Sequence, residues 1–211
     1  MTPHFQASLL DAVSTGGPTL GRLDETLRRT QLRRGAWVDV LPGWVKGSDE
    51  LFSTLVETVP WYGERRQMYE RLVDVPRLLC WYSEADVLPH PLLDGAREAL
   101  TRHYLPELGE PFRTAGLCYY RDGHDSVAWH GDTIGRGKHH DTMVAILSLG
   151  AARRLLLRPK TGGQSLSFSL GHGDLLVMGG SCQRTWEHSI PKTARDVGPR
   201  ISVQFRPRGV R

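Results

Sequence analysis

Four residues of this chain have the types and the order of a metal centre with an anion anchor. His130 and Asp132 sit in Trp129-His130-Gly131-Asp132, His188 lies in Trp186-Glu187-His188, and Arg200 opens an alternating segment beyond it. Two imidazoles and one carboxylate on one face of a metal leave the other face open. That arrangement suits Fe(II), which must hold a cosubstrate and O₂ together. In a strand, residues i and i+2 point to the same face. His130 and Asp132 can therefore aim at one metal from adjacent pleats, with Gly131 turned away. A His-x-Asp triplet alone is a common accident; the downstream residues of the chain give it weight.

The segment Arg200-Ile201-Ser202-Val203-Gln204-Phe205-Arg206 alternates strictly. Ile201, Val203 and Phe205 make one apolar face; Arg200, Ser202, Gln204 and Arg206 make the other. Such a strand ordinarily has its polar face in water. Here it comes after a candidate metal ligand, and Arg rather than Lys bounds the polar face. A guanidinium is a planar fork that binds carboxylates bidentately and stays charged when buried. The two Arg Cα atoms are at most ~20 Å apart, a gap that two bent side chains and a short dicarboxylate would fill.

Other histidines compete for the third ligand position. His139 and His140 lie in a Gly-rich loop and are expected in solvent, His172 is in a Gly-His-Gly turn, and His124 is in an Asp-Gly hairpin. His188 is preferred because it lies on a late strand ahead of Arg200. Trp129 and Trp186 flank the ligands and read as packing that keeps water off a metal.

These residues need strands to position them. From 113 onward the pattern predicts eight: 113–120, 125–130, 142–149, 153–158, 164–170, 174–178, 184–190 and 200–206. Short strands separated by Gly-rich turns suggest a mainly β fold with flanking helices, a double-sheet jelly roll of cupin type. Ser48 reads as a helix N-cap, with Asp49 and Glu50 in the first turn and Leu51, Leu55 and Val59 along one stripe to Pro60. A second helix begins at Pro91 with the stripe Leu92, Leu93, Ala96, Leu100 and Tyr104. Residues 1–47 read as irregular. The Arg pairs 28–29 and 33–34 suit a solvated surface better than a phosphate contact.

From residue 72 to 207 the chain resembles the AlkB family of Fe(II)/2-oxoglutarate dioxygenases. The resemblance is carried by Val75-Pro76-Arg77, the stretch from Tyr120 through His130 to Asp132, Gly173-Asp174-Leu175-Leu176-Val177-Met178, Trp186-Glu187-His188, and Arg200 with Arg206. It implies a double-stranded β-helix with an N-terminal helical and lid extension. It implies that His130, Asp132 and His188 hold Fe(II), that Arg200 grips the distal carboxylate of 2-oxoglutarate, and that Arg206 lies toward its keto-acid end and the reacting base. Tyr120 matches the Tyr of the family's Asn-x-Tyr, which hydrogen-bonds the cosubstrate. Trp81 and Tyr82 fall where the family builds a lid over the substrate base, with Arg77 and Arg121 near phosphate or base. The chain departs from the pattern at three places. Cys118 replaces the Asn of Asn-x-Tyr, and Ser202, which can still donate, replaces the Asn of Arg-x-Asn. Ile134 stands where repair members carry an acidic residue that reads the base's amino group.

The implied activity is oxidative demethylation of N-alkylated nucleobases (1-methyladenine, 3-methylcytosine) in damaged DNA or RNA, single strands preferred, with O₂ as cosubstrate and formaldehyde as product. The alternatives are a hydroxylase of the same type acting on a non-nucleic-acid substrate, and a non-catalytic nucleic-acid-binding relative. Composition is compatible with all three. The chain has 211 residues and a net charge of +4, with a pI near 9.1. Such a balance suits a polyanionic partner and equally an ordinary Arg-rich protein. The length allows one domain, expected at 72–211, with an extension carrying one helix at 1–71. Cys80, Cys118 and Cys182 show no Cys-x-x-Cys spacing and read as reduced thiols. No long apolar run or signal-like start is present, so a monomer in the cytoplasm, with no membrane contact, is expected.

Overall fold

Val144-Ala145-Ile146-Leu147-Ser148-Leu149-Gly150 is almost wholly apolar, and a strand of that kind has both faces covered. In the computed structural model of the chain all seven residues are buried. Ala145, Leu147 and Leu149 join one core; Val144 and Ile146 join another. The strand is thus a wall between two compartments, and the fold follows from what fills each.

The structure describes the backbone of residues 16–24, 26–68 and 71–210 and, outside 66–74 and position 136, their side chains. Its strands are β1 (Thr19–Leu20), β2 (Arg28–Gln31), β3 (Ala36–Leu41), β4 (Val45–Lys46), β5 (Tyr62–Met68), β6 (Arg71–Tyr82), β7 (Thr114–Tyr120), β8 (Val127–His130), β9 (Val144–Gly150), β10 (Arg153–Pro159), β11 (Leu166–Leu170), β12 (Asp174–Gly180), β13 (Trp186–Ile190) and β14 (Arg200–Arg206). Its α-helices are α1 (Ser48–Thr58), α2 (Pro91–Leu108) and α3 (Cys182–Thr185). Eight strands form one antiparallel sheet in the order β2-β3-β12-β9-β14-β7-β6-β5, four form a second in the order β11-β10-β13-β8, and β1 pairs with β4 apart from both. The result is a jelly roll of the expected class.

The first compartment lies between the large sheet and the helices. Leu51 and Leu55 of α1 and Leu93, Ala96, Leu100 and Tyr104 of α2 meet Leu175, Val177, Ile201, Val203 and Phe205 there. The second lies between the sheets, where Val38, Leu176 and Met178 meet Leu155, Leu157, Trp186 and Ile190. Alternation along each central strand divides its side chains between the two.

All eight strands expected after residue 113 are present. Before it, the structure differs from the expectation. Residues 16–47 are not irregular: they contribute β1 to β4, and β3 pairs with β12 from Ala36↔Gly180 to Leu41↔Leu175. The reason β3 is hard to see is Asp39, a carboxylate in mid-strand. It is fully buried, yet the Arg29 guanidinium meets it with two 2.8 Å contacts and the Tyr104 hydroxyl donates to it at 2.9 Å. The division expected at 71/72 falls at the start of β6, which pairs with β5 in the large sheet. Residues 1–15 lie outside the described residues. Helix α2 starts at Pro91 as expected, capped by His90 Nδ1 accepting from Leu92 N–H at 3.0 Å. Ser48 is not a cap: Gly47 holds that position at φ 66°, and Ser48 Oγ donates to the Val45 carbonyl.

Candidate active site

β8 and β13 are neighbours in the small sheet, and their register sets His188 directly opposite His130. The imidazole centroids are 4.2 Å apart. Asp132 comes just after β8, and its Oδ1 lies 3.6 Å from His130 Nε2. One ligand atom from each of the three residues falls within 4.8 Å of the others. Backbone sterics keep Gly131 a glycine: a Cβ there would lie 2.6 Å from the Gln183 carbonyl oxygen.

Each ligand is prepared for a cation. His130 Nδ1 lies 2.9 Å from the Ala128 carbonyl, a contact it makes as donor, which leaves the Nε2 lone pair free. Burial pulls the pKa of His188 down to about 3, helped by His130 and opposed by Asp132, so its imidazole is neutral. Burial alone would raise Asp132, but the Arg206 guanidinium and the two imidazoles outweigh it and hold the carboxyl far below its usual range. Arg206 Nε donates to Asp132 Oδ2 at 2.7 Å, and Asp132 N–H donates to Gln183 Oε1 at 2.9 Å. Asp132 and His188 are buried at 4% and 7% exposure, while the His130 side chain is 39% exposed, so the cluster opens on the His130 side.

The polar face of β14 is not in water. Arg200, Ser202 and Gln204 are buried, and with Arg206 they line a cavity of about 80 Å³ between the sheets together with Arg77, Cys118, Tyr120, His130 and His188. Their positions follow from register: on β7, Tyr120 lies opposite Arg200, Cys118 opposite Ser202, and Gly116 opposite Gln204. Arg200 is 1% exposed, and its Nε donates to Ser148 Oγ at 3.0 Å, yet its Nη1 has no hydrogen-bond partner. A buried guanidinium with an unmet donor is costly unless an anion meets it. A carboxylate of a dicarboxylic acid answers that need. The three ligands and this anchor therefore fit Fe(II) and 2-oxoglutarate.

The structure distributes the remaining expected residues unevenly. Strand alternation separates Trp81 from Tyr82. Trp81 lies opposite Gly116, with the Arg206 guanidinium 5.9 Å from its ring, whereas Tyr82 packs into the helix-side core. The pair expected over the base is thus split, and only Trp81 is on the site side. Arg77 reaches the cavity; its Nη1 donates to the Ser126 carbonyl and its buried Nε has no partner. Arg121 does not: it grips the Asp125 carboxylate with Nε and Nη2 at 2.8 and 2.9 Å and clips the turn before β8. Ile134 lies in the loop after Asp132 and is 67% exposed. His172, a rival for the third ligand position, accepts from Gly150 N–H and pairs with Asp49 at 3.2 Å, while His124, His139 and His140 are exposed.

Three supporting residues carry no signal in the sequence that marks their role. Gln183, on the α3 turn, has no motif around it. Arg153 is buried and donates to the carbonyls of Asp122, Asp125 and Pro191 at 2.7–2.9 Å, fixing the loop ahead of His130; an Arg at a strand start gives no hint of that. Gly116 is the third. A Cβ there would lie 2.9 Å from Arg206 Nη1 and 3.3 Å from Trp81, so glycine lets those two side chains come as close as they do. A larger groove of about 450 Å³, beside α2 from Arg97 to Arg113, contains none of these residues.

Comparison with known proteins agrees with this geometry. The 2OG-Fe(II) oxygenase superfamily matches residues 38–206. The bovine alpha-ketoglutarate-dependent dioxygenase alkB homolog 3 (Bos taurus) is 31% identical over 190 residues, covering 80% of this chain and 65% of that protein. The DNA oxidative demethylase ALKBH2 of Arabidopsis thaliana is 28% identical over 191 residues, covering 74% of this chain and 60% of that one. The chain thus spans a little under two thirds of the length of these relatives. The solved structure of OsALKBH1 superposes with a TM-score of 0.57 at 15% identity, covering 84% of this chain and 100% of that one, a likeness of fold. A profile match through both sheets, the His-Asp-His cluster and the unmet buried Arg200 agree, and the chain belongs to the 2OG-Fe(II) oxygenase superfamily, among its AlkB-type members.

Proposed function

We propose that this chain oxidatively demethylates N-alkylated nucleobases, of the 1-methyladenine and 3-methylcytosine type, in DNA or RNA, with a preference for single strands. The observation that carries this reading is the place of Trp81. Its ring lies beside Arg206, and Arg206 holds Asp132. An unstacked base can rest on an aromatic face, and this face is one guanidinium away from the metal ligands. The names of the relatives support the reaction class. Single strands are favoured because an unpaired base costs less to extrude.

His130, Asp132 and His188 would hold Fe(II), and Arg200, steadied by Ser148, would pair with the distal carboxylate of 2-oxoglutarate. When bound, these groups supply the activation of O₂ that puts one oxygen atom into a C–H bond and the other into succinate, with loss of CO₂. The chain's own side chains do the rest. Arg206 keeps Asp132 ionised and its Oδ2 occupied, so that Oδ1 is the oxygen left to face the imidazoles. The exposure of His130 leaves the approach on its side. A hydroxylated N-methyl group is a hemiaminal; its C–N bond breaks to release formaldehyde and the repaired base.

The test is mass spectrometry of methylated single- and double-stranded DNA and RNA incubated with protein, Fe(II), ascorbate and 2-oxoglutarate. The expected result is a loss of roughly 14 Da per lesion, the one CH₂ by which the methylated base exceeds the repaired one. Consumption of 2-oxoglutarate with every methyl group retained would transfer the proposal to a non-nucleic-acid substrate. Ile134 in solvent and Arg121 bound to Asp125 favour that second reading, since neither meets a base in the cavity. We further infer a monomer working in the cytoplasm; the three free thiols, Cys80, Cys118 and Cys182, suit a reducing compartment. Among the described residues no helix is long and apolar enough to cross a membrane.

A further inference from the structure

The chain lacks amide side chains at two places where the family pattern has them, Cys118 and Ser202. These two residues face each other across β7 and β14. Two residues further along β14, on the same face, stands Gln204, whose carboxamide reaches back over both. Its Nε2 donates to the Ser202 carbonyl at 3.1 Å and in a short contact to Ser202 Oγ. Its Oε1 accepts from Cys118 Sγ at 3.8 Å. Gly116, opposite Gln204, leaves room for this: a Cβ there would approach Oε1 to 3.2 Å. All three side chains line the cavity that contains Arg200.

The direction of these bonds has a consequence. A hydroxyl has one proton to give. Because Ser202 Oγ accepts from Gln204, its own proton is turned away from Gln204. Tyr120 lies opposite Arg200 and lines the same cavity as Ser202, with the Arg200 guanidinium 5.2 Å from its ring. The Tyr120 hydroxyl also has one proton to give, on the wall of the cavity that contains Arg200 and its unmet Nη1.

Resting on the assignment of 2-oxoglutarate to this cavity, we propose that Gln204 is a positioning residue for the cosubstrate: its one carboxamide stands in for the amides absent at 118 and 202 and orients the Ser202 hydroxyl toward 2-oxoglutarate. The residues at 118, 202 and 204 then form one coupled set. Two independent losses would instead leave the cavity short of donors.

The experiment is anaerobic titration of the Fe(II)-loaded protein with 2-oxoglutarate, read by the visible charge-transfer band of the chelated keto-acid, with calorimetry on the Mn(II)-loaded protein as a second readout. Gln204→Met keeps the volume and deletes both amide functions. It should weaken 2-oxoglutarate binding about tenfold, the scale of one lost buried hydrogen-bonding group, and raise its KM with kcat within about threefold. Metal affinity should stay as in wild type, and the loss should appear in the 2-oxoglutarate KM rather than in kcat, a split that a merely structural role would not give. Cys118→Asn in the Gln204→Met background should restore most of the lost affinity. Wild-type affinity in Gln204→Met, or no recovery in the double variant, overturns the proposal. If wild-type protein gives no band and no heat, the cosubstrate assignment itself falls and takes this inference with it; a wild-type band with an unaffected Gln204→Met removes this inference alone.

Discussion

Two of the metal ligands have a second contact that fixes which atom they offer. The Ala128 carbonyl sets the tautomer of His130. Arg206 holds Asp132 ionised in a buried place, while Gln183 accepts from the Asp132 N–H and fixes its backbone. His188 cannot exchange roles with His172, which is tied to Gly150 and Asp49 elsewhere. His188→Ala should therefore abolish the anaerobic 2-oxoglutarate–Fe(II) band, and His172→Ala should leave it unchanged; a surviving band in the first variant would move the third ligand. Arg200→Lys keeps the charge and loses the fork. Losing a charge-assisted bond costs about 1.5–3 kcal/mol, so 2-oxoglutarate affinity should fall about ten- to hundredfold with metal binding intact, measured by calorimetry. The ligands also predict a pH dependence. His188 titrates near 6.5 when unfolded and near 3 when folded. Between those values the unfolded chain binds more protons, so the metal-free protein must lose stability as pH falls through that window. Its Tm should drop steadily from about pH 6.5 downward, and more shallowly in His188→Asn.

At the scale of elements, register does the positioning. The β7–β14 ladder brings Tyr120, Cys118 and Gly116 against Arg200, Ser202 and Gln204 in order, and the β8–β13 ladder brings the two imidazoles together. A change that shifts a side chain across these ladders should reach the metal without touching it. Gly116→Val puts a branched side chain where Arg206 Nη1 and Trp81 already stand. Arg206 must move, Asp132 loses its partner, and Mn(II) affinity in calorimetry should fall although residue 116 is no ligand. Arg153 serves the loop in the same indirect way. Arg153→Met strands three backbone carbonyls, and leaving buried groups unsatisfied costs roughly 1–3 kcal/mol each. Chemical denaturation should show a loss of at least that size.

Over the whole molecule, one sheet is shared by the site and by the segment before it. β3 covers the edge of β12, and α1 packs against β9, whose Ser148 steadies Arg200. Removing residues 1–47 would bare that edge and part of the helix-side core, so the truncated chain should be insoluble or molten by near-UV circular dichroism. The net charge of +4 acts at this scale too. If nucleic acid is the substrate, Arg contacts to phosphate release counterions and activity should fall as salt rises; an activity indifferent to salt would argue for an uncharged substrate.

Much of this is legible in the chain alone. The ligands His130, Asp132 and His188 can be picked out because a strand repeats every two residues and because so few residue types bind iron. The strands after 113 are visible through their alternation. Three-dimensional packing decided the rest. β3 hides behind Asp39, whose charge is met by Arg29 and Tyr104, the latter far from it in sequence. The polar face of β14 has the pattern of a solvent face and is buried, because a second sheet closes over it. Trp81 and Tyr82 look like a pair in sequence and part in space, because neighbours on a strand point to opposite sides. Residue types and short spacings determined which chemistry was available; which side chains meet, and which are shut off from water, was decided only when the two sheets came together.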